Sequence, residues 1–197
     1  MIDIAIATED FLSEAVIIKI IRSINKFNIS LSLGREGCGY LTKKINNFNK
    51  MAERQKVLVV LDLDNNNSPD EYIRDITRNE NVIHENLLFS IPVKEIESWI
   101  LADKQGISSF LDIPEARIDR NPDELMDPKE KIISLARTCR NRVAKDGIPP
   151  KPRAISKVGL SYNTLLIDFV NNHWSIERAA VNSPSLNRTL ILLDNAN

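Results

Sequence analysis

Apolar residues run in short blocks through the first half of the chain and at helical spacing through the second. Residues 2–7 alternate and then run apolar, which predicts a first strand. Thr8-Glu9-Asp10 breaks that run and opens a helix from about 11 to 25, Phe-Leu-Ser-Glu-Ala-Val-Ile-Ile-Lys-Ile-Ile-Arg. Residues 28–33 alternate as a second strand, Gly34, Gly37 and Gly39 mark a loop, and a polar helix follows near 40–54. Residues 57–61 are unbroken apolar, suited to a third strand buried on both faces of a parallel sheet, and the run stops abruptly at Asp62 and Asp64. A short helix over 70–79 and a fourth strand over 86–92 complete a βαβαβαβ alternation. This order predicts an α/β domain with a four-stranded, mainly parallel sheet flanked by helices.

Past Pro92 the character changes. Val93 to Asp103 has the pattern of an amphipathic helix, with Ile96, Trp99 and Ile100 on one face and Trp99 expected in the core. Asp127-Pro128-Lys129 is a helix start with proline at the first helical position, and the helix is expected to reach about Lys145. Pro149-Pro150-Lys151-Pro152 reads as an extended linker, followed by helices near 160–172, 175–181 and 185–194. The division expected is an α/β domain over 1–104 and a helical C-terminal region over 105–197.

Composition narrows the classes. A hydrophobic content of 43% is ample for a core, and a formal net charge of −1 gives no general affinity for polyanions, so contact with nucleic acid requires a local patch. Cys38 and Cys139 form no metal or redox spacing. The start Met-Ile-Asp-Ile-Ala-Ile-Ala has no basic leader, and no apolar stretch reaches membrane-spanning length, so a cytoplasmic protein without a membrane partner is expected. His84 and His173 are isolated, which argues against zinc and Ser-His-Asp hydrolases. Gly34-x-x-Gly37-x-Gly39 lacks the Lys-Ser/Thr of a phosphate-binding loop.

The acids carry the chemistry. Period-2 geometry directs Asp62 and Asp64 to one side of the third strand's end, at the sheet edge where ligands bind in parallel α/β folds. Glu9 ends the first strand, and adjacency of the two strands brings the three carboxylates together, a donor set suited to Mg²⁺ or Mn²⁺. The competing readings are a turn at Asn65-Asn66-Asn67-Ser68-Pro69 and a solvated helix start at Glu9. Glu95 and Glu97 follow the fourth strand. Each reads either as a further ligand or general base, or as an acid at a helix start.

A first strand followed by Glu9, then helix, strand, helix and a strand ending Asp62-x-Asp64, resembles the Toprim domain of topoisomerases, primases and the overcoming-lysogenization-defect nucleases. The resemblance implies Mg²⁺-dependent phosphodiester chemistry with Glu9, Asp62 and Asp64 on the metal. Glu14 resembles a second acid of the nuclease branch. Asp10 stands where the family usually has glycine, a departure in the first loop. Over most of the chain, Val93-Lys94-Glu95-Ile96-Glu97-Ser98-Trp99-Ile100-Leu101-Ala102-Asp103, Asp127-Pro128-Lys129-Glu130, Gly159-x-x-Tyr162-Asn163 and Ser183-Pro184-Ser185-Leu186 are similar to signatures of the bacterial domain-of-unknown-function 4276 family. That second resemblance favours Glu97 over Glu95 and implies a setting among bacterial defence and mobile-element genes. The protein would act there as a nuclease effector, or as a non-catalytic subunit of a multiprotein complex that binds a partner protein or nucleic acid.

Nine basic residues lie between Lys129 and Lys157, opposed only by Glu130 and Asp146. Arg137, Arg140, Lys145, Lys151, Arg153 and Lys157 are the candidates for holding a phosphate backbone, Arg137 and Arg140 sharing a helix face at i, i+3. The alternative is a solvated face, or pairing with the acidic Asp119–Asp127 segment. Aromatics suited to base stacking are missing before Tyr162.

Overall fold

The computed structural model describes residues 1–196. Its first half contains β1 (Ile2–Thr8), α1 (Phe11–Ile24), β2 (Phe27–Gly34), α2 (Cys38–Lys43), α3 (Ile45–Ala52), β3 (Lys56–Val60), α4 (Pro69–Thr77) and β4 (Leu87–Ser90). The second half is helical: α5 (Glu97–Ala102), α6 (Lys104–Leu111), α7 (Pro128–Arg137), α8 (Arg142–Gly147), α9 (Tyr162–Asn172), α10 (Ile176–Asn182) and α11 (Pro184–Asn195).

The four strands form one sheet in the order β2-β1-β3-β4, and every pairing is parallel, where only a mainly parallel sheet was expected. Both faces are therefore covered, which is why β3 reads as an unbroken apolar run. Ile4, Ile6, Leu58 and Val60 face a core built with α1, α5, α7, α9 and α11; Ala5, Ala7, Val57 and Val59 face a second core under α2, α3 and α4. Helices on both sides of residue 104 contribute to the first core. Trp99 lies there fully buried, its indole N–H donating to Ser185 Oγ at 2.7 Å, and Trp174 donates to the Trp99 carbonyl at 3.0 Å. The chain passes from β1 outward to β2, then back over β1 to β3, so the strand order reverses between β1 and β3. The crevice at the carboxyl ends of those two strands is where parallel α/β sheets take their ligands.

Several expected elements are divided. The helix predicted over 40–54 is two, because Lys44 tightens onto the Leu41 carbonyl and ends α2. The helix predicted from Asp127 to Lys145 breaks after Arg137. Asn141 turns toward α6, donating to the Phe110 carbonyl, and its side chain caps α8 through Ala144 N–H. The helix expected from Val93 begins only at Glu97, since the preceding main chain extends the sheet ladder. The helix α6 was not foreseen. The expected linker at Pro149–Pro152 is the start of a loop that doubles back, with Gly159 N–H donating to the Ile148 carbonyl and Ser161 N–H to that of Gly147. Added to Gly159, a Cβ would collide with the Gly147 carbonyl. Both cysteines are free, and among the described residues no helix is long and apolar enough to cross a membrane.

Candidate active site at the carboxyl edge of the sheet

The β3–β4 ladder continues past its strands. Leu61 N–H donates to the Ser90 carbonyl, Leu63 to Pro92 and Asp64 to Lys94, at 3.2, 3.0 and 2.9 Å. Leu61 and Leu63 stay in the second core, so alternation turns Asp62 toward the face that carries α1 and α5. At Asp64 the backbone becomes left-handed, with φ of 49°, and Lys94 opposite adopts φ of 65°. The extended repeat on which a common side for Asp62 and Asp64 was expected therefore ends before Asp64. Among the neighbouring charges Asp62 feels Glu97 most strongly, and Asp64 feels Glu95.

Glu9 comes from the end of β1. Its Oε1 accepts the Asp62 main-chain N–H at 2.8 Å, tying the two strand ends together across the switch point. The Gly34–Gly37 loop wraps behind it, Arg35 N–H donating to the Thr8 carbonyl and Gly37 N–H to that of Glu9. Asp10, where glycine is usual in the resembling family, has an extended backbone and caps α1 by accepting Ser13 N–H at 2.8 Å. The departure thus has a local structural role. Glu14, in the first turn of α1, pairs with Arg35 at 3.7 Å.

Two partners were not legible as such. Lys129, counted among the basic residues of the 129–157 segment, leaves that segment and enters the acids. Its Nζ lies 3.3 Å from Glu95 Oε1 and 3.5 Å from Glu97 Oε1, and its main-chain N–H donates to Glu95 Oε2 at 3.1 Å. Tyr162, at the start of α9, donates its hydroxyl to Glu97 Oε1 at 2.9 Å. Both oxygens of Glu95 are therefore engaged by Lys129. Glu97 is 1% exposed, and its Oε2 is buried without a hydrogen-bond partner.

The electrostatics follow. Burial, opposed by the Asp62 hydrogen bond and reinforced by Asp64 and Asp10, raises Glu9 to about 7. Burial also raises Glu97 to about 7, against the pull of Lys129. Asp62 is pushed well above its ordinary value by burial, then by Glu97 and Glu9; Asp64 is raised by burial and Glu95. Burial alone would depress Lys129, but Glu97, Glu95 and Asp62 hold it above the ordinary lysine range.

The site thus draws Glu9, Asp62, Asp64, Glu95 and Glu97 from three strand ends to one crevice, where Lys129 pairs with Glu95 and Glu97 and its charge also reaches Glu9, Asp62 and Asp64. The donors are hard carboxylate oxygens, and the orphaned Glu97 Oε2 is the kind of atom that a cation satisfies, so the chemistry of the set fits Mg²⁺ or Mn²⁺. Among the described residues, no three His, Cys, Asp or Glu side chains are close enough to hold a metal ion as they stand. The acids are arranged about Lys129.

The basic candidates divide. Arg137 is paired with Glu130 at 2.8 Å, and it ends α7, so Arg140 lies beyond the helix and does not share its face. Lys131 pairs with Asp119, within the acidic segment expected to compete. Arg140, Lys145, Lys151, Arg153 and Lys157 are exposed and enter none of the ion pairs of the described residues. The last three lie on the loop that leads into Tyr162 at the start of α9.

Compared with protein-family models, with curated proteins and with solved structures, the chain matches none.

Proposed function

We propose that the protein is a Toprim-like, divalent-metal-dependent nuclease of bacterial defence, acting on nucleic-acid phosphodiester bonds at the β1–β3 crevice. The observation that carries this reading is the gathering of five carboxylates there, one of them with a fully buried, unpartnered oxygen. Structural acids are normally paired when buried, and an excess of unpaired ones marks a functional site.

Glu9, Asp62 and Asp64 would hold Mg²⁺ or Mn²⁺, with Glu97, the charge that Asp62 feels most strongly, as a further donor. A bound ion supplies an activated water and neutralises charge on the phosphate. The chain's own residues do the positioning. Glu9 fixes the main chain of Asp62, Tyr162 fixes Glu97, and Glu95 spends both oxygens on Lys129, so it serves as an anchor rather than as a base. Lys151, Arg153 and Lys157 lie on a loop that leads into the site, where they can hold a phosphate backbone, with Arg140 and Lys145 on the adjoining segment.

The test is divalent-metal-dependent cleavage of plasmid, single-stranded DNA and RNA, with Asp62→Ala alongside. Cleavage lost in the variant is expected. A second reading, a non-catalytic subunit that binds a partner protein in a defence complex, is favoured by one observation: an ammonium already sits among the acids. Absence of cleavage together with absence of any metal-induced thermal shift would select it.

A further inference from the structure

We infer that Lys129 is the resident counter-cation of the acidic crevice, and that a divalent ion binds there by displacing its ammonium. The inference deepens the metal-nuclease reading and rests on it for the identity of the competitor.

Four observations carry it. Lys129 is the only cation paired with Glu95 and Glu97, while Glu9, Asp62 and Asp64 enter no ion pair among the described residues. Lys94 adds positive charge beside Asp64, and Arg35 is held by Glu14. The backbone of Lys129 is fixed independently of its charge: Pro128 opens α7, Asp127 caps it through Glu130 N–H, and Glu95 Oε2 accepts Lys129 N–H. Its side chain is 34% exposed, so the four-carbon stem has an outlet to solvent and the ammonium can leave while the helix stays. Glu97 Oε2, by contrast, is enclosed and unpartnered, an oxygen that the lysine leaves unsatisfied.

An ammonium and a divalent ion drawn to the same carboxylates oppose each other's binding. Removing the ammonium should therefore tighten the ion, by a factor within the range of about 5–150 found for coupled binding events.

The test is calorimetric titration of Mn²⁺ into the full chain, its Lys129→Met variant and its Lys129→Arg variant, with circular dichroism to verify the fold. Lys129→Met is expected to bind Mn²⁺ at least about fivefold more tightly than the parent, and Lys129→Arg about as the parent does. Measurable binding by the parent with equal or weaker binding by Lys129→Met overturns the inference and leaves the metal reading standing. Binding by Lys129→Met alone overturns displacement in the native chain, and the metal reading with it. Binding by neither overturns both. Should Lys129→Met not fold, acylation of the Lys129 amine in the parent chain, followed by mass spectrometry, decides: the yield at Lys129 rises with Mn²⁺ if the ion displaces it, and an unchanged or lower yield overturns the inference.

Discussion

Tyr162 donates a hydrogen bond to Glu97 Oε1 at 2.9 Å, joining α9 to α5 where both side chains are almost wholly shielded from solvent. The bond fixes the carboxylate by one oxygen and leaves the other for the crevice. Tyr162→Phe removes the donor while preserving the ring, so a buried acceptor loses a partner. The expected cost is about 1–3 kcal/mol, read from urea unfolding of the metal-free protein. Because the phenol also lowers the Glu97 pKa, the variant should hold its proton to higher pH than the parent. A variant as stable as the parent would mean that the bond contributes nothing.

The crevice makes a prediction about pH. Glu9 and Glu97 are raised to about 7 from an ordinary 4.5, and Asp62 moves in the same direction. Between pH 4.5 and 7 the folded chain therefore holds protons that the unfolded chain has released, and stability falls as pH rises through this window. Lys129 is shifted upward from 10.5, so its stabilising contribution is constant there and is lost only at strongly alkaline pH. In the presence of a chelator, the melting temperature should be higher at pH 5.5 than at pH 8, and Mg²⁺ should narrow the gap by stabilising the ionised acids. A melting temperature that rises from pH 5.5 to 8 would contradict the charge arrangement.

The parallel sheet was legible because β3 is apolar without interruption and each strand is followed by a turn signal. Glu9 and Asp62 were legible as strand-end acids, and the sheet order places them beside each other. What the pattern missed is tertiary. The left-handed backbone at Asp64 and Lys94 arises from the continued ladder between those two residues, and no local propensity announces it. Lys129 looked like one member of a basic run, since nothing within its own helix shows that Glu95, 34 residues earlier, takes both its charge and its main-chain N–H. Arg137 and Arg140 were expected on one helix face, but Asn141 is drawn to the Phe110 carbonyl and the helix ends before Arg140.

The loop from Lys151 to Lys157 should behave as a phosphate-contacting element. Replacing Lys151, Arg153 and Lys157 together with alanine removes three exposed charges while leaving the closing bonds at Gly159 and Ser161 in place. Affinity for single-stranded DNA or RNA should weaken irrespective of sequence. The slope of log affinity against log salt should become shallower by roughly 2–3. Filter binding over a range of salt concentrations measures it, and an unchanged slope would place the nucleic-acid contact elsewhere or nowhere.

Helix α5 is held at both ends, and the two ties should be separable. Asp103, fully buried after its C-terminus, accepts Arg178 Nε and Nη2 at 2.6 and 2.7 Å, together with the main-chain N–H groups of Gly106 and Ser175. Removing one partner of a buried pair costs about 3–5 kcal/mol, but the Arg178 side chain is 42% exposed and the two amides remain, so Arg178→Met should cost about 2 kcal/mol. Glu97, at the opposite end of the helix, keeps Tyr162 and Lys129 in that variant. Its Mn²⁺ affinity should therefore stay within about twofold of the parent even though the protein melts earlier, because distant sites without shared partners act independently. Urea unfolding and Mn²⁺ calorimetry on the same preparation separate the two effects. A variant that loses stability and ion affinity in parallel would show that α5 moves as one rigid lever, with the crevice depending on an anchor six residues from its buried glutamate.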